Sequence, residues 1–465
     1  MNSRLIAAYC ALLGAVANVV SFDAGCSSNP PAKTRVGADA GGLRDIEVGV
    51  VDSLSGGFAA QGVPLQNTLR VAQTQINQIG ILGGRHIQFK VVDDFSDTTQ
   101  AVGAVGTLLR DGPAGILGPL SSGQVLATQS LTYQQRIVQI TASATSTLLS
   151  TAQPSHDRYI FRTAPADDFQ GGAIAQLVYG GIAPAADGGA AFGGGCRRVS
   201  TVNGDDGYGN ALNDVVKSRL DSMPGVAFVS ADKVPTALGS DYKAIAANIV
   251  NSRPDCLVLI VYSNVGAALL RDLKLAISSD ASGHDWSKFF VVGSDGEHDS
   301  AFIPAGQSDP ADPTSPNSTE GCMGTAPDPA PETPEYKAFR NLWQQTFPGA
   351  EPDAYTANQF DAALILALAI HQAGTSTEGA KIRDALYQVT NPAGVAFGPT
   401  QFVEAVSQIS NHIAVKYRGA SGATTFDDNG NVAGDYIVWR VNKQPNGTFK
   451  FDTIGTIKAA DLGAP

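Results

Sequence analysis

The acids, hydroxyls and aromatics of this chain gather in short turns that follow apolar, β-branched runs. Ser121-Ser122-Gly123 comes after the run Gly115–Leu117, and Ser143-Ala144-Thr145 comes after Ile137–Ile140. A helix is expected to open at each turn. Unpaired N–H groups and a hydroxyl at a helix N-terminus suit an anion, a carboxylate above all. The same serines suit plain helix capping, and one role does not exclude the other. The complementary chemistry lies later in the chain. Asp295 follows Phe289–Val292, where a carboxylate suits an ammonium group or simply shapes the turn Ser294-Asp295-Gly296. Tyr208 follows Asp205-Asp206-Gly207, and Tyr262 ends the run Cys256–Val261. A ring at either place can face a cation or pack against its neighbours.

Other groupings carry no chemistry. Asp295, Glu297, His298 and Asp299 are close together, but they fit neither HExxH nor a facial triad, and they read as a polar loop. Asp427, Asn429 and Asn431 begin like a calcium loop, yet Val432 and Val438 stand where such a loop needs Gly and Glu. The sequence holds no G-x-S-x-G and no P-loop, and its 6 histidines are scattered. Neither an enzyme nor a metal or other cofactor is therefore expected. A net charge of −12, with no basic run longer than Arg197-Arg198, excludes a nucleic-acid partner.

The elements that must hold these turns alternate in type. Ile46–Val51, Ile87–Val92, Gly115–Leu117 and Ile137–Ile140 read as strands, with helices such as Thr98–Leu109 between them. A second series starts near Arg197, with strands Val199–Val202, Ala227–Ala231, Cys256–Val261, Phe289–Val292 and Gly321–Gly324. Helices are expected at Tyr242–Asn251, Gly266–Ile277, Pro334–Phe347 and Ala354–Ala373; the last, with Leu364, Leu366 and Leu368 among alanines, reads as buried. The tail Thr424–Thr453 reads as strands, with Asp428-Asn429-Gly430-Asn431 as a hairpin turn. A chain of 465 residues with 43 % hydrophobic residues and 51 glycines suits two α/β units of ordinary size.

The first 26 residues stand apart: a short n-region with Arg4, an apolar stretch Leu5–Val20, then small residues ending in Ala24-Gly25-Cys26. This reads as a signal peptide, with Cys26 placed as in a bacterial lipobox and Asp23 where lipoboxes carry an aliphatic residue. Residues 27–43 read as a tether. The Ala183–Gly195 and Pro304–Glu320 stretches read as insertions.

Taken in order, the motifs Leu54-Ser55-Gly56, Gly80-Ile81-Leu82-Gly83-Gly84, Asp93-Asp94, Gly118-Pro119-Leu120-Ser121-Ser122-Gly123, Ala142-Ser143-Ala144-Thr145, Phe161-Arg162-Thr163, Asp206-Gly207-Tyr208-Gly209 and Gly293-Ser294-Asp295-Gly296 resemble the type I periplasmic binding proteins of the branched-chain amino-acid (Leu/Ile/Val) family, from about Ile46 to Val441. The resemblance implies two flavodoxin-like, doubly wound parallel-sheet lobes: residues 44–163 with 334–425, and 164–333 with 426–458. It implies three crossings, near Thr163–Asp167, Ala326–Pro334 and Phe397–Phe426, with ligand held in the cleft beyond the strand ends. Ser122, Ser143, Ala144 and Thr145 would then take a ligand's α-carboxylate, and Asp295 its ammonium group. Tyr208 would line the cleft, and Tyr262 is a further candidate. Gln61 stands where relatives often carry Tyr, so a branched-chain preference does not carry over with the rest. With flavodoxin-like strand order, Cys196 and Cys256 lie at the same sheet end, where a disulfide between them can form. The expected activity is delivery of a small ligand, an amino acid or similar, to an ABC permease from a membrane-anchored lipoprotein in the periplasm or at the cell surface. The alternative is a sensory receptor for an amide or small organic acid.

Overall fold

The computed structural model describes residues 44–181, 193–236 and 241–462. The expected signal segment, the tether, Cys26 and most of the Ala183–Gly195 stretch lie outside these residues.

Two sheets organise the chain. The first takes β1 (Ile46–Asp52), β2 (Ile87–Asp93), β3 (Ile116–Leu117), β4 (Gln139–Thr141) and β5 (Ile160–Arg162) in the order β2-β1-β3-β4-β5, with every neighbouring pair parallel. The apolar, β-branched strands need helices on both faces, and the chain supplies them between strands. These are α1 (Ala59–Ile76), α2 (Thr98–Asp111), α3 (Ser122–Gln135) and the four-residue α4 (Leu148–Thr151). Helix α2 shows how local chemistry sets the limits: the Asp97 side chain accepts from the Gln100 amide at its start, and Gly112 closes it with φ 69°.

The chain then enters the second layer system through α5 (Asp167–Tyr179). There β6 (Arg198–Gly204), β7 (Ala227–Val234), β8 (Cys256–Ile260), β9 (Phe290–Gly293) and β10 (Met323–Pro327) alternate with α6 (Gly209–Asp221), α7 (Lys243–Ser252), α8 (Ser263–Ser278) and the short α9 (Phe302–Gly306). After β10 the chain returns to the first sheet as α10 (Pro334–Thr346), α11 (Thr356–Ala373) and α12 (Gly379–Val389). A small parallel pair, β11 (Val395–Phe397) with β12 (Val415–Tyr417), brackets α13 (Phe402–Ser410). The chain crosses again to form the antiparallel hairpin β13 (Tyr436–Lys443) and β14 (Phe449–Ile457). The second sheet thus has seven strands, ordered β14-β13-β10-β9-β8-β6-β7. The expected α/β class with two doubly wound parallel sheets is the architecture found.

Helix α11 is the core of the first unit. Every residue from Thr356 to Ile370 is buried, and the helix packs with α1 and α12 and against β3 and β4. Among the described residues, no helix is long and apolar enough to cross a membrane.

Two expectations need correction. The third crossing lies later than Phe397–Phe426: Phe426 and Val432 still pack in the first unit's core, and Tyr436 is the first residue in the other. The turn Asp428-Asn429-Gly430-Asn431 is real but joins no strands. The Asp427 carboxylate accepts from the Asn429 and Asn431 amides there. The hairpin turn is Pro445-Asn446-Gly447, closed by the Gln444 amide donating to the Thr448 carbonyl at 2.7 Å. Both places hold Asn-Gly, and only the second is flanked on both sides by residues that pair.

Cys196 and Cys256 form a disulfide at the end of β8 opposite the cleft, and Cys322 is a buried free thiol.

Candidate functional site

The turns at the carboxyl ends of the strands meet between the two sheets. A cavity of about 20 Å³ lies there, lined by Gln61, Ser122, Ser143, Thr145, Tyr208, Tyr262 and Asp295, together with Leu120, Ser121, Gly296 and Tyr355. Seven of the eight residues expected from sequence are thereby brought together. Ala144 is not: its amide donates to the Thr141 hydroxyl at 3.2 Å inside the turn.

The first wall offers donors. Ser121, not Ser122, is the cap of α3, in a capping box with Gln124. Ser122 is the first helical residue, and its amide donates to no other group among the described residues. Its hydroxyl accepts from the Ser146 amide at 3.1 Å, which ties the two hydroxyl turns together. Ser143 is no cap either, because the helix after this turn begins only at Leu148. Its hydroxyl donates to the Leu120 carbonyl at 2.8 Å. The Thr145 carbonyl accepts from the Asp167 amide at 2.9 Å and from the Arg162 guanidinium at 2.6 Å, while its amide is left unpaired among the described residues. Behind this wall, Asp93 and Asp94 serve structure, holding the Leu54–Ser55 and Ser53–Ser96 turns.

The second wall offers carboxylate and rings. Asp295 starts a short 3-10 turn, is 5 % exposed, and accepts from the Tyr208 hydroxyl at 2.6 Å and from the Tyr355 hydroxyl. Burial pushes its carboxyl up, and the hydrogen bonds from Tyr208 and Tyr355 oppose that. Tyr262 donates to Asp206 at 2.9 Å, and its ring stands 5.6 Å from that of Tyr208 and 4.5 Å from Phe58 across the cleft. Gly296 has no side chain for a reason: a Cβ there would stand 2.3 Å from the Val261 carbonyl and 3.1 Å from the Tyr208 hydroxyl. Glu297 accepts from the Ser294 amide and hydroxyl and from the Val261 amide; burial pushes it up to about 8. His298 stacks on Trp439, and burial takes it down to about 4, so its ring is neutral. Among the described residues no cluster could hold a metal ion.

Sequence reasoning missed Tyr355 and Asp167. Tyr355 precedes α11 in a left-handed conformation (φ 61°), which costs a tyrosine about 1–2 kcal/mol and marks a constrained position. No local motif announces it. Asp167 is fully buried at the first turn of α5, and neither carboxylate oxygen receives a well-formed hydrogen bond. Burial, then the nearby charge of Asp295, raises its carboxyl far above the usual range. Its signal was visible as an acid beside the first crossing, where it read only as hinge.

Among the described residues, four contacts bridge the walls: Gln61 Nε2 to Asp299 Oδ2 at 3.0 Å, Ser146 Oγ to the Gly207 carbonyl at 2.6 Å, the Tyr355–Asp295 pair, and the Phe58–Tyr262 rings. The crossings are pinned as well. Thr163 and Asn358 exchange hydrogen bonds of 2.9 and 2.7 Å, and Pro165 bridges to Val432. These contacts hold the two walls together across the cleft.

The family model described as "Periplasmic binding protein" matches residues 45–444. The chain belongs to that family, in its type I, branched-chain amino-acid branch. The Leu/Ile/Val-binding protein BraC3 of Rhizobium johnstonii is 24 % identical over 343 residues, 74 % of this chain and 83 % of that one. The crystal structure of a leucine-binding protein, LivK of Thermotoga maritima, superposes with a TM-score of 0.68 at 20 % identity, covering 90 % of this chain and 99 % of the other. A solute-binding protein of an ABC transporter from Rhodopseudomonas palustris, crystallised with 3,4-dihydroxybenzoic acid, gives 0.65 at 18 % identity, covering 89 % and 98 %. This chain is thus a periplasmic solute-binding protein of branched-chain amino-acid transporter type, a class in which the bound ligand varies.

Proposed function

We propose that this protein captures a free amino acid in the cleft and delivers it to an ABC permease, held to the membrane by lipid on Cys26. The observation that carries the ligand class is the polarity of the two walls. Free amides at Ser122 and Thr145 suit the carboxylate of a zwitterion, and Asp295, with the buried carboxyl of Asp167 behind it, suits the ammonium group. An aromatic acid without a cation would offer these two acids only neutral hydroxyl donors, weaker partners for a carboxylate than an ammonium group. Closure of the bridged cleft around the ligand gives the permease one shape to recognise. Nothing in the pairing of these groups requires bond making or breaking.

A thermal-shift panel tests the ligand class, with the common amino acids set beside 3,4-dihydroxybenzoate and simple amides. Ligand at about 1,000 times its dissociation constant stabilises by roughly 4 kcal/mol. Amino acids are expected to raise the melting temperature. A shift from 3,4-dihydroxybenzoate alone would overturn the reading. Mass spectrometry of the protein purified from membranes tests the anchor: a lipid-modified N-terminal Cys26 is expected, and an unmodified mature terminus would refute it.

A further inference from the structure

No basic side chain lines the cleft cavity, yet two arginines are buried behind the Ser143–Ser146 turn. Arg158 and Arg162 are each 1 % exposed. The Arg158 guanidinium donates to the Leu149 carbonyl at 2.8 Å and to the Ser150 and Ile160 carbonyls at 3.1 Å. The Arg162 guanidinium donates to the Thr145 carbonyl at 2.6 Å, the Ser146 carbonyl at 2.8 Å, the Ser150 hydroxyl at 2.7 Å and Asn431 Oδ1 at 2.8 Å. Every one of these acceptors is neutral. A buried cation ordinarily pairs with a carboxylate, and among the described residues Arg162 donates to none. Asp167 and Asp168 lie near enough to favour its charge, but burial raises both carboxyls, and the charge of Asp295 raises Asp167 further. Burial takes Arg162 down only to about 10, so it stays charged at neutral pH.

We propose that Arg162 is the countercharge of the ligand's carboxylate, acting through the Thr145–Ser146 peptide without touching the ligand. Thr145 lines the cavity with its amide free, while its carbonyl accepts from the guanidinium. The charge thus stands one residue behind the donor that a carboxylate would use. In a buried setting of low dielectric it acts over that distance more strongly than it would in water. Free amides alone accept any oxygen. A fixed positive charge behind them favours a carboxylate over a neutral carboxamide of the same shape, so Arg162 determines specificity for the acid. The inference rests on the amino-acid reading of the cleft and deepens it by naming the residue that selects the ligand's charged end.

Calorimetric titration of the purified protein tests this with two matched pairs, L-leucine beside L-leucinamide and L-alanine beside L-alaninamide. Arg162→Gln removes the charge. Asn431→Asp sets a carboxylate against the guanidinium in place of a carbonyl of the same shape, at the loss of the 3.2 Å bond from Asn431 Nδ2 to Asp427. Folding of each variant is checked by near-ultraviolet circular dichroism. Either folded variant is expected to weaken the free amino acids at least tenfold and to leave the amides within about threefold. Arg162→Lys, which keeps a charge there, is expected to retain most of the parent's preference for the acid even where affinity falls overall. Asn431→Asp, at a half-buried position, decides the matter if the arginine variants do not fold. Equal losses for acids and amides would show that Arg162 only holds the turn in shape, and would overturn the proposal. A neutralised variant that keeps the parent's preference would overturn it too. If the parent binds neither amino acid, the amino-acid reading itself falls, and this inference falls with it.

Discussion

Of the cleft's two walls, the one on the five-stranded sheet presents hydrogen-bond donors and the one on the seven-stranded sheet presents acceptors and rings. Both are turns at the carboxyl ends of parallel strands, so the backbone plan is shared. The difference arises in the segment after each strand. After β3 the chain opens a long helix whose first amides are unpaired, and after β9 it makes a three-residue 3-10 turn headed by Asp295. The donor wall owes its polarity mainly to backbone. The acceptor wall owes it to one carboxylate and is brittle. The same contrast holds for ionisation: the donor wall has no titrating group at its surface, whereas Asp295 and Glu297, with Asp167 at the hinge, are all pushed up by burial.

The sharpest break of this comparison is Asp295→Ala. Truncating one partner of a buried charge pair costs about 4 kcal/mol, roughly a thousandfold in affinity. Calorimetry with the best amino acid from the panel is expected to show that loss with the fold intact. An affinity within tenfold of the parent would mean that the acceptor wall is not where the ammonium group binds.

Next in size is the disulfide, which lies at the other end of the acceptor-wall sheet from the cleft. Closing a loop with a sequence separation of 60 stabilises by about 4 kcal/mol. Cys196→Ser with Cys256→Ser is therefore expected to lower the melting temperature by several degrees and leave ligand affinity unchanged. A parallel loss of affinity would show that the sheet's far end shapes the site.

The pH dependence separates the walls at a smaller scale. Glu297 is raised to about 8 in the folded state from the ordinary 4.5. Its contribution to stability is therefore fully present below about 4.5 and is lost as pH rises toward about 8. Asp295 and Asp167 act in the same direction. Urea unfolding of the ligand-free protein is expected to show a loss of about 3 kcal/mol between about pH 5 and pH 8. An ammonium ligand favours the ionised acids, so binding should release protons near neutral pH, read by calorimetry in buffers of different ionisation enthalpy. Proton uptake on binding would contradict the pairing.

The smallest effect is expected on the donor wall. Ser122→Ala removes the hydroxyl that holds the Ser146 amide but leaves the Ser122 amide in place. A loss of about 1 kcal/mol, near fivefold in affinity, is expected. A loss as large as that of Asp295→Ala would mean that the hydroxyl, and not the backbone, binds the carboxylate.

The alternation of apolar runs and glycine turns was enough, from sequence alone, to give the α/β class, the two sheets and most strand positions. Period and composition are local properties, and so they are legible in the chain. The hydroxyl turns and Asp295 were legible for the same reason, because a ligand site in such sheets must sit at the strand ends. Ser122 and Ser143 were legible as positions but not as caps. That depended on where the helix began, and the capping box of Ser121 with Gln124 settled it by one residue. What the tertiary structure alone decided were meetings of distant residues: Tyr355 with Asp295 across 60 positions, Gln61 with Asp299 across 238, and Asn358 with Thr163 across 195. The energies of such pairs exist only after both sheets have formed and the crossings have set them face to face. No window of sequence contains both partners, so the contacts that bridge the two walls were beyond its reach.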